Sequence, residues 1–460
     1  MQTAPKEEPH EVAALKLPPR LSGGWPLVGH LQALRRAPID LFWRVRNECG
    51  DVGEIKLATS EVVLLTGEDA QEAYFRAPEE QLDQAAAYPF MTPVFGEGVV
   101  FDGTTEQRRE AMQAQSLRDK MMRGHAETIA SEVRLMEARL GDSGEIDLLD
   151  FFAELTLYTS SACLIGKSFR EELSAQYVPI FYDLERGTDP LAYVNPYLPI
   201  SAFRKRDRAR KKLVGMIADI FERRGKVPKE ERELFDILLS LKHEDGSPRY
   251  TIDMLTGMFI STMFAGHHTT SGTTAWTLIE LLRHRDYGGR AIEEVDALHA
   301  QGEDITYQAL REIPVLENAI KEALRLHPPL IILMRKVMSD FEHSGYRIPA
   351  GKIVAASPAV SNRMPEKFPE PNRYDPDRYA EGRAEDRQPF AWIPFGAGRH
   401  RCIGAAFAQM QIKAILGILL HDYEWELSQP HDSYQDDHSK MVVQLRQPCR
   451  AKYRRREAQR

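Results

Sequence analysis

Cysteine is scarce in this 460-residue chain: the four present, Cys49, Cys163, Cys402 and Cys449, lie far apart and form no CxxC pair. That spacing argues against a zinc site, an iron–sulfur cluster or a disulfide framework, and fits a reducing cytoplasm. Basic charge is not in excess either. The 60 Lys and Arg face 68 Asp and Glu, a formal net charge of -8, and no basic patch interleaved with aromatics offsets it, so no nucleic-acid partner is expected. The first twenty residues lack the apolar run of a signal peptide or membrane anchor and hold Pro5, Lys6, Glu7, Glu8, Pro9 and Pro18 instead. The sequence as written therefore predicts a soluble, cytoplasmic protein with no membrane anchor. Repeats, biased tracts and separating linkers are also lacking, so one large domain over residues 23–453 is expected, with a disordered segment at 1–22 and a basic tail at 454–460.

What is present is mostly helical periodicity. Apolar spacing predicts helices over Leu31 to Cys49, Thr105 to Leu140, Leu148 to Cys163, Glu171 to Glu185, Ala202 to Arg224, Leu234 to Leu241, Ile252 to Arg283, Gly289 to Leu298 and Tyr307 to Leu326. Two hairpins are expected, one pairing Val52 to Leu57 with Glu61 to Thr66, the other spanning Gly345 to Pro358 around Pro349-Ala350-Gly351. The fold class is thus mainly α with small β-sheets. Ile252 to Arg283 would reach about 48 Å as a helix. Its centre, Gly266-His267-His268-Thr269-Thr270-Ser271, is too polar for lipid, and threonine hydroxyls there suit a local opening of the helix near Ala265 to Thr270.

One stretch organises the chemistry. Pro394-Phe395-Gly396-Ala397-Gly398-Arg399-His400-Arg401-Cys402-Ile403-Gly404 is a glycine-rich loop leading into the apolar segment Ile403 to Leu420, which reads as a buried helix. The positive helix end and the neighbouring basic side chains favour a thiolate at Cys402. Such a cysteine is a structural thiol, a nucleophile or a metal ligand on these grounds alone. Elsewhere, Glu322-Ala323-Leu324-Arg325 places an acid and a base on one helical face before Pro328-Pro329, and Pro376-Asp377-Arg378-Tyr379 follows downstream.

Together these segments resemble the cytochrome P450 family. Phe-Gly-x-Gly-x-His-x-Cys-x-Gly resembles its haem-thiolate loop, with His400 where Arg is usual, and Ala265-Gly266-x-x-Thr269 resembles its distal helix. Glu-x-x-Arg and Pro-x-Arg-aromatic resemble the elements of its buried cluster, which makes Glu322, Arg325 and Arg378 structural. His268, where most members have an acid, resembles the sterol 14α-demethylase branch, as does the loop Tyr88 to Asp102 with Pro93-x-Phe95-Gly96.

The resemblance implies a P450 fold in a single haem-thiolate domain, with Cys402 as axial ligand of the iron of haem b. It implies that Gln84, Tyr88, Arg109, Arg335 and His400 hold the haem propionates, with Arg108 competing for the place of Arg109. Thr269 and His268 would deliver protons, His267 being the other candidate, and Tyr88, Phe90, Met91, Phe95, Phe264, Ala265, Leu330, Ile332 and Met441 would line a sterol pocket. The implied reaction removes the 14α-methyl group in three O2-dependent oxidations, releasing formic acid. Other P450 substrates, such as a fatty acid or a terpenoid, and a non-catalytic haem-thiolate sensor are the alternatives. Lacking any flavin or nicotinamide motif, the chain would take electrons from a ferredoxin and its reductase, ultimately from NAD(P)H, across a basic face of Arg118, Lys120, Arg123, Arg401 and Lys413. The stretch Pro190 to Pro199 is the candidate access loop and the candidate for peripheral membrane contact.

Overall fold

The structure is a computed structural model and describes residues 15–58, 60–98, 119–185, 187, 192, 195–224, 228, 234–300 and 305–457. Helices α1 (Leu31–Arg36) and α2 (Pro38–Cys49) replace the single one expected, because Pro38 has no N–H to continue the ladder past Ala37. Hairpin β1 (Val52–Leu57) and β2 (Ser60–Leu65), helix α3 (Glu68–Arg76) and the short β3 (Leu82–Asp83) follow, before the turn Thr92–Phe95. Then come α4 (Asp119–Leu140), β4 (Ser143–Asp147), α5 (Leu148–Ser160), α6 (Lys167–Glu185), α7 (Ser201–Arg224), α8 (Leu234–Ser240), α9 (Ile252–Arg283), α10 (Arg285–Ala300) and α11 (Pro314–Leu326). The remainder comprises β5 (Leu333–Val337), β6 (Phe341–His343), β7 (Tyr346–Ile348), β8 (Ile353–Ala356), α12 (Ala405–Asp422), β9 (Tyr423–Leu427), β10 (Asp436–Asp437), β11 (Gln444–Leu445) and β12 (Arg450–Arg455).

The largest sheet runs β1-β2-β8-β5-β3 and is mixed, with β8 parallel to β2 and antiparallel to β5. This corrects the second expected hairpin. The turn sits earlier, at Ser344-Gly345, and pairs β6 with β7, whereas β8 crosses to β2, where its alternate residues are buried on both faces. Residues 15–22 are also not loose: Lys16 donates its N–H to Gly345 O, and Pro19 and Leu21 bond to both backbone groups of Glu54, occupying the free edge of β1. At the other end β12 runs on through Arg454 and Arg455 between β4 and β9, past the boundary expected at 453.

α9 passes through two separate apolar clusters. Leu255 to Met263 packs with α6, α7 and the Phe90 to Phe95 turn, and Ala275 to Leu281 packs with α4, α5, α10, α11 and α12. Its polar middle lies between them, which is where a cavity forms. Thr251 caps the helix by accepting the Met254 N–H at 3.2 Å, and the ladder continues to Arg283 without the opening expected near Ala265.

Candidate active site

The cavity, of about 340 Å³, lies between the middle of α9 and the loop before α12. The loop is shaped by Gly396 and Gly398, at φ 65° and 60°. A Cβ on Gly398 would stand 2.5 Å from the Phe75 carbonyl oxygen, so only glycine lets the loop lie against α3. The Cys402 N–H donates to Phe395 O at 2.8 Å, closing the loop. Cys402 counts as exposed because its free surface faces the cavity, although protein surrounds it otherwise. Burial pushes its thiol up, and the Gly404 N–H, the Arg401 charge and the Ala405 N–H oppose that rise. The two N–H groups belong to the start of α12, an arrangement that favours negative charge on sulfur.

On the opposite wall Ala265, Gly266, Thr269, Thr270 and Thr273 face the cavity. Thr269 donates its hydroxyl to Ala265 O at 2.6 Å, and Thr273 donates to Thr269 O at 2.7 Å, so each hydroxyl leans on a carbonyl one turn back. His268 does not line the cavity. Adjacent helical residues point about 100° apart, and the buried His268 ring instead contacts the carboxylate of Glu185 on α6 and the side chain of Gln444 on β11. His267 lies 3.4 Å from the Thr156 hydroxyl and edge-on to Phe181, and burial together with the His268 charge holds it well below the usual histidine range.

The sheet supplies the third wall. β3 pairs with β5, placing Gln84 near Arg335, and both reach the cavity. Arg335, 2% exposed, donates to Tyr74 O at 2.6 Å and packs over the Tyr74 ring, yet its Nη2 finds no hydrogen-bond partner among the described residues. An orphaned buried guanidinium nitrogen beside a thiol-bearing loop fits a planar group carrying carboxylates. Tyr88 lines the cavity and its hydroxyl accepts the Met334 N–H at 3.0 Å, and His400 lines it while pairing with Glu79 at 3.3 Å. Arg108 and Arg109 lie outside the described residues.

Of the nine expected pocket residues, Tyr88, Ala265 and Leu330 reach the cavity wall. Phe90, Met91, Phe95, Phe264 and Met441 instead form the apolar layer behind it with α6 and α7, and Ile332 packs into the cluster under α2. Leu333, Met334 and Arg335 of β5 all border the cavity, and sequence reading missed Leu333, Met334, Met258 and Thr262 there. Glu185 and Gln444, the partners of His268, carried no local signal. Lys413, assigned to a basic face, is buried on Glu317 at 2.9 Å; Arg123 and Arg401 are exposed, and Arg118 and the Lys120 side chain lie outside the described residues. Of the access loop, Tyr193 is likewise outside, and Tyr197 is 69% exposed.

Behind the loop, Glu322 is fully buried and accepts from Arg325 at 2.8 Å on both oxygens, from Arg378 at 3.1 Å, from the Tyr379 hydroxyl at 2.8 Å and from the Asp375 N–H at 2.9 Å. The two arginines spend their other donors on carbonyls of Asn362, Pro369, Glu370, Pro371 and Arg373, and Arg378 also pairs with the Glu385 carboxylate at 3.1 Å. Asn362 in turn accepts the Ile393 N–H at 2.9 Å, so the cluster reaches the base of the cysteine loop.

Among the described residues no helix is long and apolar enough to cross a membrane. Residues 18–453 match the family described as Cytochrome P450. A "Sterol 14alpha-demethylase" of Mycobacterium tuberculosis is 58% identical over 442 residues, covering 95% of this chain and 98% of that protein. The "Sterol 14-demethylase" of Arabidopsis thaliana is 38% identical over 452 residues, covering 96% and 92%. The retinoic acid bound cyanobacterial CYP120A1 has the same fold, with a TM-score of 0.84 and 22% identity over 96% of this chain and 100% of that one. Cavity, cysteine loop and buried Glu-Arg-Arg cluster stand within a match that runs almost end to end, and the chain belongs to the cytochrome P450 family, among its sterol 14α-demethylases.

Proposed function

We propose that the protein is a haem-thiolate monooxygenase that removes the 14α-methyl group of a lanosterol-like sterol. The methyl carbon passes to alcohol, to aldehyde, and leaves as formic acid with a 14,15 double bond, each stage consuming O2 and two electrons. What supports the substrate is the near-complete 58% match to proteins of that name; what supports the chemistry is Cys402 facing Thr269 across an apolar cavity.

Haem b, when bound, supplies O2 activation and the oxidation of an unactivated C–H bond. Cys402 would hold its iron as thiolate, and Arg335, Gln84, Tyr88 and His400, with Arg109, would hold its propionates. Thr269 offers a hydroxyl whose own proton is held on Ala265 O, leaving its oxygen lone pairs toward the cavity to orient a water or accept a proton. His268 stands one step back, its ring against the Glu185 carboxylate rather than in the cavity wall. The apolar wall of Ala265, Leu330, Leu333 and Phe395 keeps bulk water from the reacting carbon. Electrons would come from a ferredoxin-type donor with its reductase, drawn ultimately from NAD(P)H, in the cytoplasm.

Titration of the haem-loaded protein with 14α-methyl sterols tests the reading: a saturable shift of the haem absorption band is expected. Silence toward every sterol beside a response to a fatty acid or terpenoid would move the protein to another substrate class.

A further inference from the structure

Two arginines one turn apart on α7 grip main-chain carbonyls of two different segments that cover the apolar layer over the cavity. Arg206, 1% exposed, lies with its guanidinium 4.8 Å from the Phe203 ring and donates to the Asp207 carboxylate at 2.7 Å and to Pro196 O at 2.9 Å. Pro196 belongs to the connection between α6 and α7. Arg210 makes paired bonds of 2.7 and 2.8 Å to both oxygens of Asp253, on the first turn of α9, and its Nη2 also reaches Phe95 O at 3.4 Å.

Glycines show how closely both side chains are seated. Gly96, at φ 90°, would place a Cβ 2.0 Å from Arg210 Nη2, and Gly187 would place one 2.4 Å from Arg206 Cδ and 2.7 Å from Val94 Cγ2. Any side chain at 96 would expel the guanidinium. The Phe95 ring packs edge-on against Phe264 at 5.6 Å, and Phe264 packs on Phe181 at 4.7 Å and immediately precedes the cavity-lining Ala265. A bond to the carbonyl of Phe95 therefore holds an aromatic that backs the cavity wall.

From this arrangement we infer that Arg210 is a positioning residue which, acting through Phe95, sets how firmly the Thr92–Phe95 turn is held in the aromatic layer behind the cavity wall, and that α7 couples this hold to the Pro196 segment through Arg206. The identity of the retained ligand rests on the sterol reading; the coupling does not. A charge-assisted bond to a carbonyl combined with a forked carboxylate pair needs the planar guanidinium, because an ammonium serves only one of the two partners well.

Amide hydrogen exchange on the haem-loaded full chain, with stopped-flow sterol release, tests this. Arg210→Gln is expected to speed exchange at residues 94–98 and 195–200, to make sterol dissociation about tenfold faster, as loss of one charge-assisted bond implies, and to raise KM with kcat unchanged. Arg210→Lys is expected to restore thermal stability without restoring protection at 94–98. Should Arg210→Gln fail to fold, Asp253→Asn is read in the same way. Unchanged exchange at 94–98, or full rescue of both readouts by lysine, overturns the inference. Faster exchange in a protein that binds no sterol at all upholds the coupling and removes the sterol reading instead.

Discussion

Thr269 and Arg335 show what single side chains decide. Thr269 is held by its 2.6 Å bond to Ala265 O, so its oxygen is presented to the cavity in one orientation. Thr269→Ala removes that oxygen and leaves the helix ladder intact. The expected outcome is O2 consumption that yields mostly peroxide, with formic acid per O2 falling on the order of tenfold, while Thr269→Ser retains coupling. A formate-to-O2 ratio unchanged in the alanine variant would take Thr269 out of the mechanism. At Arg335 the Nη2, without a partner among the described residues, is a desolvated donor suited to a carboxylate. Arg335→Leu is expected to lose haem to a haem-scavenging protein at least about tenfold faster, equivalent to one charge-assisted bond, with far-UV circular dichroism unchanged. Equal haem loss from both proteins would separate Arg335 from the propionates. The choice between His267 and His268, left open by sequence, is narrowed by neighbours: His267 is held neutral against Thr156 and Phe181, whereas His268 has a carboxylate.

Elements are held in place by buried charge, and here pH becomes a probe. His327, at the end of α11, stacks on Trp276 with ring centres 3.6 Å apart and bonds Asp436 at 3.0 Å, with Glu280 at 3.6 Å. Burial alone would lower it, but Asp436 and Glu280 overcome burial and raise it above its ordinary 6.5. A histidine raised on folding contributes stability that is complete below about pH 6.5 and is lost as pH climbs through the folded value. The wild-type Tm is therefore expected to fall more between pH 6.5 and 9 than that of His327→Gln; parallel profiles would show that His327 does not link α9, α11 and β10 through its charge. The Glu322 cluster carries more. Glu322→Ala leaves the buried Arg325 without a carboxylate and Arg378 with Glu385 alone, a loss of about 3–5 kcal/mol, and the expected result is protein that yields no thiolate-type absorption band with CO. These elements also show what sequence conveys. Both ends of Ile252–Arg283 were legible, because a threonine cap and a sustained apolar pattern are local properties. So was the Glu322, Arg325, Arg378 set, through two motifs of fixed spacing. The second hairpin was misread because β8 takes its partner from β2, roughly three hundred residues away, and no local pattern encodes that. His268 was placed in the site by the family resemblance, yet its ring lies against Glu185 and Gln444 on two other elements.

At the scale of the molecule the question is how an electron reaches Cys402 in a chain of net charge -8. Arg401, next to Cys402, is exposed and does not line the cavity, so the outer surface lies one residue from the sulfur, whereas Ile403 on the other side lines the cavity. Met121, 45% exposed, and Arg123 stand exposed on α4, which packs against α12. With Lys413 withdrawn into its pair with Glu317, Arg123 and Arg401 are what remains exposed, among the described residues, of the basic face expected from sequence. Such a patch steers an acidic partner only at short range. The Debye length is about 8 Å at physiological salt and about 3 Å at 1 M, so exposed arginines lose their reach as salt rises. The second-order rate of reduction by an acidic ferredoxin is thus expected to fall roughly tenfold or more between low salt and 0.5 M, the behaviour of electrostatically steered association. Arg401→Glu should slow reduction strongly at low salt and little at high salt, with the absorption spectrum of the bound haem unaltered. Rates indifferent to salt in both proteins would place donor docking elsewhere on the surface, and a spectrum altered by Arg401→Glu would show that the residue acts on the thiolate rather than on the partner.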